Sequence, residues 1–338
     1  MSVKIEFHAL HPFPFSCLNR DQNNSPKSMR FGGVTRDRDS AQCEKYWLKH
    51  ELNKKFGTKA CRTKLKDLTT RRYGEEEAKK ILNNMDLTGV SDDVHMFITA
   101  VGAENWFKLC EQAKEKKVEN ADVIQQVFNE GRNSFIMSLF GRFVASKPDL
   151  QIKAAMQTAH GFSVNKSSRV VDFFTGVDDL NAMNAHIGEA EYTCPIFYRY
   201  SCLDCSQLLE NMNGDKAAFQ EGLEVWLRTL PQIVPQGKIT TTAHYTDPEF
   251  VMYATGEHQN LSLANAFLEP VTGSQLMQQS INRMKVHFNR LNDGFPRDLR
   301  GCFWNIHDIN EFSPNITFAS NINVMSETVV ANVMEKLV

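Results

Sequence analysis

The chemistry legible in this chain is concentrated in Ser16-Cys-Leu-Asn-Arg-Asp21, in Lys27, and in Phe31-Gly-Gly-Val-Thr-Arg-Asp-Arg-Asp-Ser-Ala-Gln-Cys-Glu-Lys45. These residues read as a polar, glycine-bearing loop running into a basic helix. Such a loop gathers backbone N–H groups, guanidinium groups and a helix N-terminus, the donors that a phosphodiester backbone needs. The spacing is not that of a catalytic triad or a metal site. His95, His160, His186, His244 and His287 stand apart, without Asp or Asn at motif distance. Cys202-Leu-Asp-Cys205 lacks the second ligand pair that tetrahedral zinc requires, so it reads as structural thiols, and neither metal nor cofactor is expected.

The helix that positions this set starts near Ser40. Asp39 or Ser40 can accept the free N–H groups of its first turn, and Gln42, three residues after Asp39, completes a capping box. Gln42, Lys45 and Lys49 then share a face, while Cys43, Trp47 and His50 occupy another. On its own Lys-x-x-x-Lys is a solvated charged face; the adjoining loop with Arg20, Lys27, Arg36 and Arg38 is what favours an anion site.

A chain of 338 residues, 42% of them hydrophobic, has ample core for one large domain or two smaller ones. The net charge of −2 argues against a protein that coats nucleic acid indiscriminately. From Lys27 to Arg72, however, 14 Lys and Arg face 5 Asp and Glu, so a window of +9 sits on a body of −11. A focused positive face suits nucleic acid held in one groove. The 8 cysteines are irregularly spaced and no secretory leader precedes them, so a disulfide framework is not expected and a reducing cytoplasm is. No apolar run reaches membrane-spanning length.

Val3 to Leu10 alternates, with Val3, Ile5, Phe7 and Ala9 on one side, and predicts a half-buried first strand ended by Pro12 and Pro14. Helical periodicity follows over Gly74–Met85, Val94–Val101, Ala103–Lys117 and Ala121–Glu130, which reads as a helical insertion. Ile152–Phe162 looks amphipathic; Val170–Phe174 and Glu191–Tyr200 have strand composition around a turn at Gly176 to Asp179. Phe219–Leu230 and Ser274–Leu291 read as helices, Gly237–Tyr245 and Phe250–Ala254 as two strands joined through Asp247-Pro248. This mixed order predicts an α+β fold.

Taken together the blocks resemble one family, the CasC-type backbone subunit of the type I-E CRISPR surveillance complex, Cascade. The resemblance is carried by the loop and arginine series above, and it resumes at Gly141-Arg142, Ala159-His160 and Phe174-Thr-Gly-Val-Asp-Asp-Leu180. It continues at Ala185-His-Ile-Gly188, Phe197-Tyr-Arg-Tyr200 and Leu261-Ser-Leu-Ala-Asn-Ala-Phe267, in the same order along the chain. It implies an RRM-like (ferredoxin-like) palm over 1–52 and 141–338, helical fingers over 53–140, and a β-hairpin thumb at about 172–192. It further implies a non-catalytic subunit that stacks with copies of itself in a helical filament along the crRNA, beside other Cascade subunits, and presents the guide to target DNA. The implied guide contacts are Asn19, Arg20, Lys27, Arg36, Arg38, Ser40, Gln42, Lys45, Lys49 and Arg142. Phe143, Phe174, Thr175 and Val177 would wedge beside a displaced nucleotide, although composition alone would bury both phenylalanines.

The chain departs from the family pattern in the arginine series, where Val34, Thr35, Asp37 and Asp39 are interleaved. Carboxylates beside phosphates weaken binding unless they turn away or cap the helix. The alternative from another class is an enzyme: related type III backbone subunits cut target RNA with a metal and an aspartate in the equivalent loop, where Asp21 stands here. A lone Asp in a loop more commonly holds a turn.

Overall fold

The computed structural model describes all residues except Met1, Lys59, Val94, 130–133, Ala145, Ser146, 177–185 and Val338. In chain order the strands are β1 (Lys4–Pro12), β2 (Ser28–Phe31), β3 (Val34–Asp39), β4 (Cys61–Thr63), β5 (Met96–Ile98), β6 (Met156–Thr158) and β7 (Gly161–Ser163), then β8 (Val170–Gly176), β9 (His186–Tyr192), β10 (Ile196–Asp204), β11 (Phe250–Gly256), β12 (Leu299–Asn305) and β13 (Ile316–Phe318). The helices are α1 (Ala41–Lys55), α2 (Leu65–Tyr73), α3 (Glu75–Asn83), α4 (Ala100–Ala113), α5 (Asn120–Val123), α6 (Phe135–Phe140), α7 (Cys205–Asn211), α8 (Lys216–Thr229), α9 (Ile239–Thr242), α10 (Leu276–Gly294) and α11 (Ile322–Leu337). The fold is mixed α+β, and the chain divides into two compact units. One comprises Met1–Leu48, Gln157–Leu203 and Trp226–Val338; the other comprises Lys49–Met156 and Asp204–Val225.

The first unit is built on a sheet of order β13-β12-β11-β1-β10-β7-β3-β2. β1 is central, and both of its faces are buried rather than one. Phe7 faces Tyr253, whose hydroxyl donates to Leu227 O, and this side meets α8 and α11. Leu10, with Met252, Phe250 and Phe303, packs on the other side against Ile281, Met284 and Phe288 of α10. The polar residues that alternate into this second layer bond there through one side-chain atom each, Glu6 through Oε1 and His8 through Nδ1 to the Tyr198 hydroxyl. Glu6 Oε1 accepts from the Tyr200 hydroxyl (3.1 Å) and from Leu261 N–H, and the Tyr198 hydroxyl accepts from Leu263 N–H (2.8 Å). The block Leu261–Phe267 is therefore held in place by buried side chains of the central strands.

The second unit carries the helical periodicity of the middle of the chain, and it reaches beyond 53–140 at both ends. Its core centres on Trp106, whose indole N–H donates to Thr69 Oγ1 (3.0 Å). Within Val94–Val101 the helix begins only at Ala100: Met96–Ile98 are buried as β5, paired antiparallel with β4, and Thr99 caps α4 by accepting from Gly102 N–H.

Other expectations are corrected. Ile152–Phe162 carries no amphipathic helix and forms β6 and most of β7. Gly237–Tyr245 is not a strand, because β11 already has β1 and β12 on its two edges. Instead Lys238 and Ala243 take left-handed backbone (φ 54° and 45°) around the single turn of α9, with the Thr241 and Thr242 hydroxyls donating to Lys238 O.

Candidate nucleic-acid interface

The loop before β2 is tied to the start of α1 through Asn19. Its carbonyl accepts from Lys27 N–H (2.8 Å) and its Oδ1 from Ser40 N–H (3.3 Å), while Arg38 N–H donates to Lys27 O (2.9 Å). Asn19, Lys27, Arg38 and Ser40 are thus brought together by two main-chain bonds and the Asn19 side chain. The turn joining β2 to β3 is Gly32-Gly33, both at positive φ (59° and 80°), the geometry of a two-residue hairpin. At Gly32 a Cβ would collide with Leu268 O.

Arg36 and Arg38 lie in β3, not in a loop, and they part company. Arg36 is fully buried: its guanidinium donates to Ser163 O (2.9 Å), Val164 O (2.6 Å) and Phe267 O (2.8 Å). It is a structural residue, and its expected guide contact is withdrawn; Arg38 stays partly exposed. Arg142, in the second unit, is also buried, donating to Leu150 O and Phe128 O, and it too drops out of the guide-facing residues.

The carboxylates of the series turn inward. Asp37 accepts from the Ser167 hydroxyl (2.6 Å), Glu44 pairs with the buried Arg199 (3.2 Å), and Asp39 lies beneath the helix start. Burial, reinforced by neighbouring Glu44, pushes Asp39 up to about 8, so it is neutral at pH 7. The capping box through Gln42 does not form, because the N-cap is Ser40, whose Oγ accepts from Cys43 N–H. The Ala41 N–H is taken by Nδ1 of the exposed His160 (3.0 Å). What remains at the surface is Lys27, Gln42 and Lys45 without an anionic neighbour in the series; partial burial lowers the Lys45 pKa.

Asp39 makes stability depend on pH. The folded chain keeps this proton to about 8 whereas the unfolded chain loses it near 3.8, so stability falls as pH rises through that window and levels off above it. Asp39→Asn is expected to flatten this dependence and to exceed the parent in stability above the window. Urea melts over a pH series check it, and parallel profiles of parent and variant would remove Asp39 as the cause.

Strands β8 and β9 form an antiparallel hairpin outside the main sheet, in register Phe174 to Gly188. Phe174 is 49% exposed and Phe173 71%, so neither is core, and Thr175 is exposed as well. The Phe174 ring lies across Gly188, where a Cβ would meet its Cζ at 2.5 Å. At the hairpin base Arg169 donates to Glu191, Pro26 O and the Ser28 hydroxyl, and Tyr192 stacks on Phe15 (4.2 Å). Val177 falls outside the described residues. In the second unit Phe143 is 73% exposed, and Lys49 Nζ lies 5.7 Å from the Phe97 ring centre.

Arg20 is exposed and donates to Asn24 Oδ1. Asp21 closes its own turn, Oδ1 accepting from Asn23 and Ser25 N–H (2.8 and 3.1 Å). Phe173 and Arg169 join the candidate residues here, and each has a signal in the sequence, an aromatic doublet and a lone arginine opening a strand. His160 belongs to a block that carries the resemblance, but its tie to Ala41, 119 positions away, has no local signal.

The sequence matches the family described as CT1975-like protein over residues 5–328. The chain belongs to that family. A search of curated proteins returns no match. Among solved structures, a chain of a "CRISPR RNA-guided surveillance complex, pre-nicking" superposes with TM-score 0.84 at 23% identity, covering 98% of this chain and 100% of that one. A chain of a "CRISPR RNA-guided surveillance complex" gives TM-score 0.70 at 22% identity, covering 97% and 99%. Family and fold agree with the resemblance to the CasC-type subunit drawn from the sequence. Among the described residues no helix is long and apolar enough to cross a membrane.

Proposed function

We propose that this member of the CT1975-like family is a non-catalytic backbone subunit of a Cascade-type CRISPR complex, holding the crRNA spacer by its phosphates. One observation carries the reading: Asp37, Asp39 and Glu44 are buried while Lys27, Gln42 and Lys45 remain accessible. An arginine-and-aspartate series that looked electrostatically mixed thereby presents donors alone. In this reading the sheet-bearing unit is the RRM-like palm, the helical unit the fingers and the β8–β9 hairpin the thumb. Copies stack along the crRNA as a filament beside other Cascade subunits, and target DNA reaches the protein through pairing with the guide. The use of Asp21 to close a turn supports a scaffold over a cutter; metal-dependent RNA cleavage abolished by Asp21→Ala would reverse that.

The test is Lys27→Ala with Lys45→Ala. Neither ammonium takes part in an ion pair among the described residues, so the fold should survive. RNA affinity should fall for every sequence alike, and the slope of log affinity against log salt should shrink by about two, roughly one for each phosphate that a lysine no longer neutralises. Filter binding over a salt series reads both, and unchanged affinity with unchanged slope would remove this surface from the site.

A further inference from the structure

Among the described residues the buried Arg36 has no carboxylate partner. Its guanidinium is met by carbonyl oxygens and lies 5.9 Å from the Phe31 ring centre, and burial, with repulsion from a second cation, Arg283 of α10, lowers its pKa. Arg283 lines a cavity of about 350 Å³ with Asn265, Asn282, His287 and Arg290, and no carboxylate is among the lining residues. On α10 positions 282, 283, 286, 287 and 290 recur at helical spacing and share one face. Asn265 belongs to the turn Ala264–Phe267, whose last carbonyl accepts from Arg36. Arg283 spends one donor on Glu269 O, and Arg290 is exposed. Guanidinium, imidazole and amide donors around an acid-free hollow, backed by an uncompensated buried cation, form the environment that stabilises a phosphate monoanion.

This hollow lies on the opposite face of the sheet from α1. α10 packs on the layer of Leu10 and Met252, whereas Glu44 of α1 bonds Arg199, whose guanidinium lies over Phe7. We infer that the α10 face binds the phosphodiester backbone of a second nucleic-acid strand, distinct from the guide held on the α1 side. The inference rests on the function proposed above. Charge decides the class of partner: the donor set matches a chain of phosphates, and interactions of this kind carry no sequence information, as a subunit repeated along any guide requires.

The test uses guide-loaded complexes carrying Arg283→Gln with Arg290→Gln, and separately Arg290→Glu alone, since Arg283 also braces Glu269. Single-stranded DNA not complementary to the guide should bind about tenfold more weakly to the double variant, with a salt slope reduced by about two, while guide affinity stays within about twofold. Arg290→Glu should weaken DNA in the same direction. Unchanged DNA affinity in both variants overturns the site. A parallel loss of guide affinity also overturns it, assigning the face to the guide path. Loss of self-assembly without nucleic acid would overturn it in favour of an acidic protein surface. Were the parent to bind no RNA at all, the underlying reading would fall; binding of single-stranded DNA by the unloaded protein, lost in both variants, would still establish this face.

Discussion

Replacing Arg36 with methionine is expected to destabilise the sheet-bearing unit by about 3–5 kcal/mol, the cost typical of breaking a buried charged network. Methionine refills the aliphatic volume. It cannot replace the donors to Ser163 O, Val164 O and Phe267 O, which join β3 and β7 to the turn that precedes α10. Each orphaned carbonyl, shut off from water, costs about 1–3 kcal/mol. Arg36→Lys should fall between, since one ammonium with three donors cannot span carbonyls on both sides as the planar fork does. Urea denaturation gives the loss directly. The contrasting result, a parent-like midpoint with weakened RNA binding and a smaller salt slope, would restore Arg36 as a guide-binding residue.

Arg36 also marks where sequence reading stops. The helix start at Ser40, the existence of the first strand and the α+β class follow from local pattern, because capping and alternation act over a few residues; that the strand is central and buried on both faces does not. Whether an arginine meets a phosphate or a carbonyl does not. Arg36 finds its acceptors 127, 128 and 231 positions away, and nothing between Phe31 and Lys45 distinguishes it from Arg38. Arg142 escaped for the same reason at shorter range, its carbonyls lying 8 and 14 residues off. The carboxylates had the converse ambiguity: Asp37 and Asp39 read as liabilities until burial, Ser167 and the neutral state of Asp39 removed them from the surface field. Gly237–Tyr245 has genuine β-branched content, but strand composition needs a vacant sheet edge, and none borders β11. The final strands β12 and β13 and helix α11 were not assigned individually. The two strands are short and give little pattern, but the 16 residues of α11 place Met325, Val329, Val330 and Val333 at helical spacing, a periodicity that local reading can find.

Phe174→Ala is expected to leave the isolated protein folded and to impair its assembly on guide RNA. The first half follows from position. Phe174 is half-exposed on a two-stranded hairpin that joins no other sheet, so truncation removes little buried area from any core. Its ring lies across Gly188, the one residue type that leaves room for it there, and so projects as a preset flat surface. The second half follows from chemistry. An aromatic face covering an unstacked base contributes roughly 1–3 kcal/mol per base, and in a filament the loss recurs at every subunit. Because losses of that size multiply along the assembly, periodic nuclease protection of the guide should blur well before binding of one subunit is abolished. Phe173→Ala is the control on the adjacent, more exposed ring, on the other side of the hairpin by strand alternation; it should disturb protection less if Phe174 is the stacking face. Thermal melts of the RNA-free protein and footprinting of the assembled filament separate the possibilities. A large drop in Tm with protection unaltered would make Phe174 a structural residue and take the hairpin out of the RNA path.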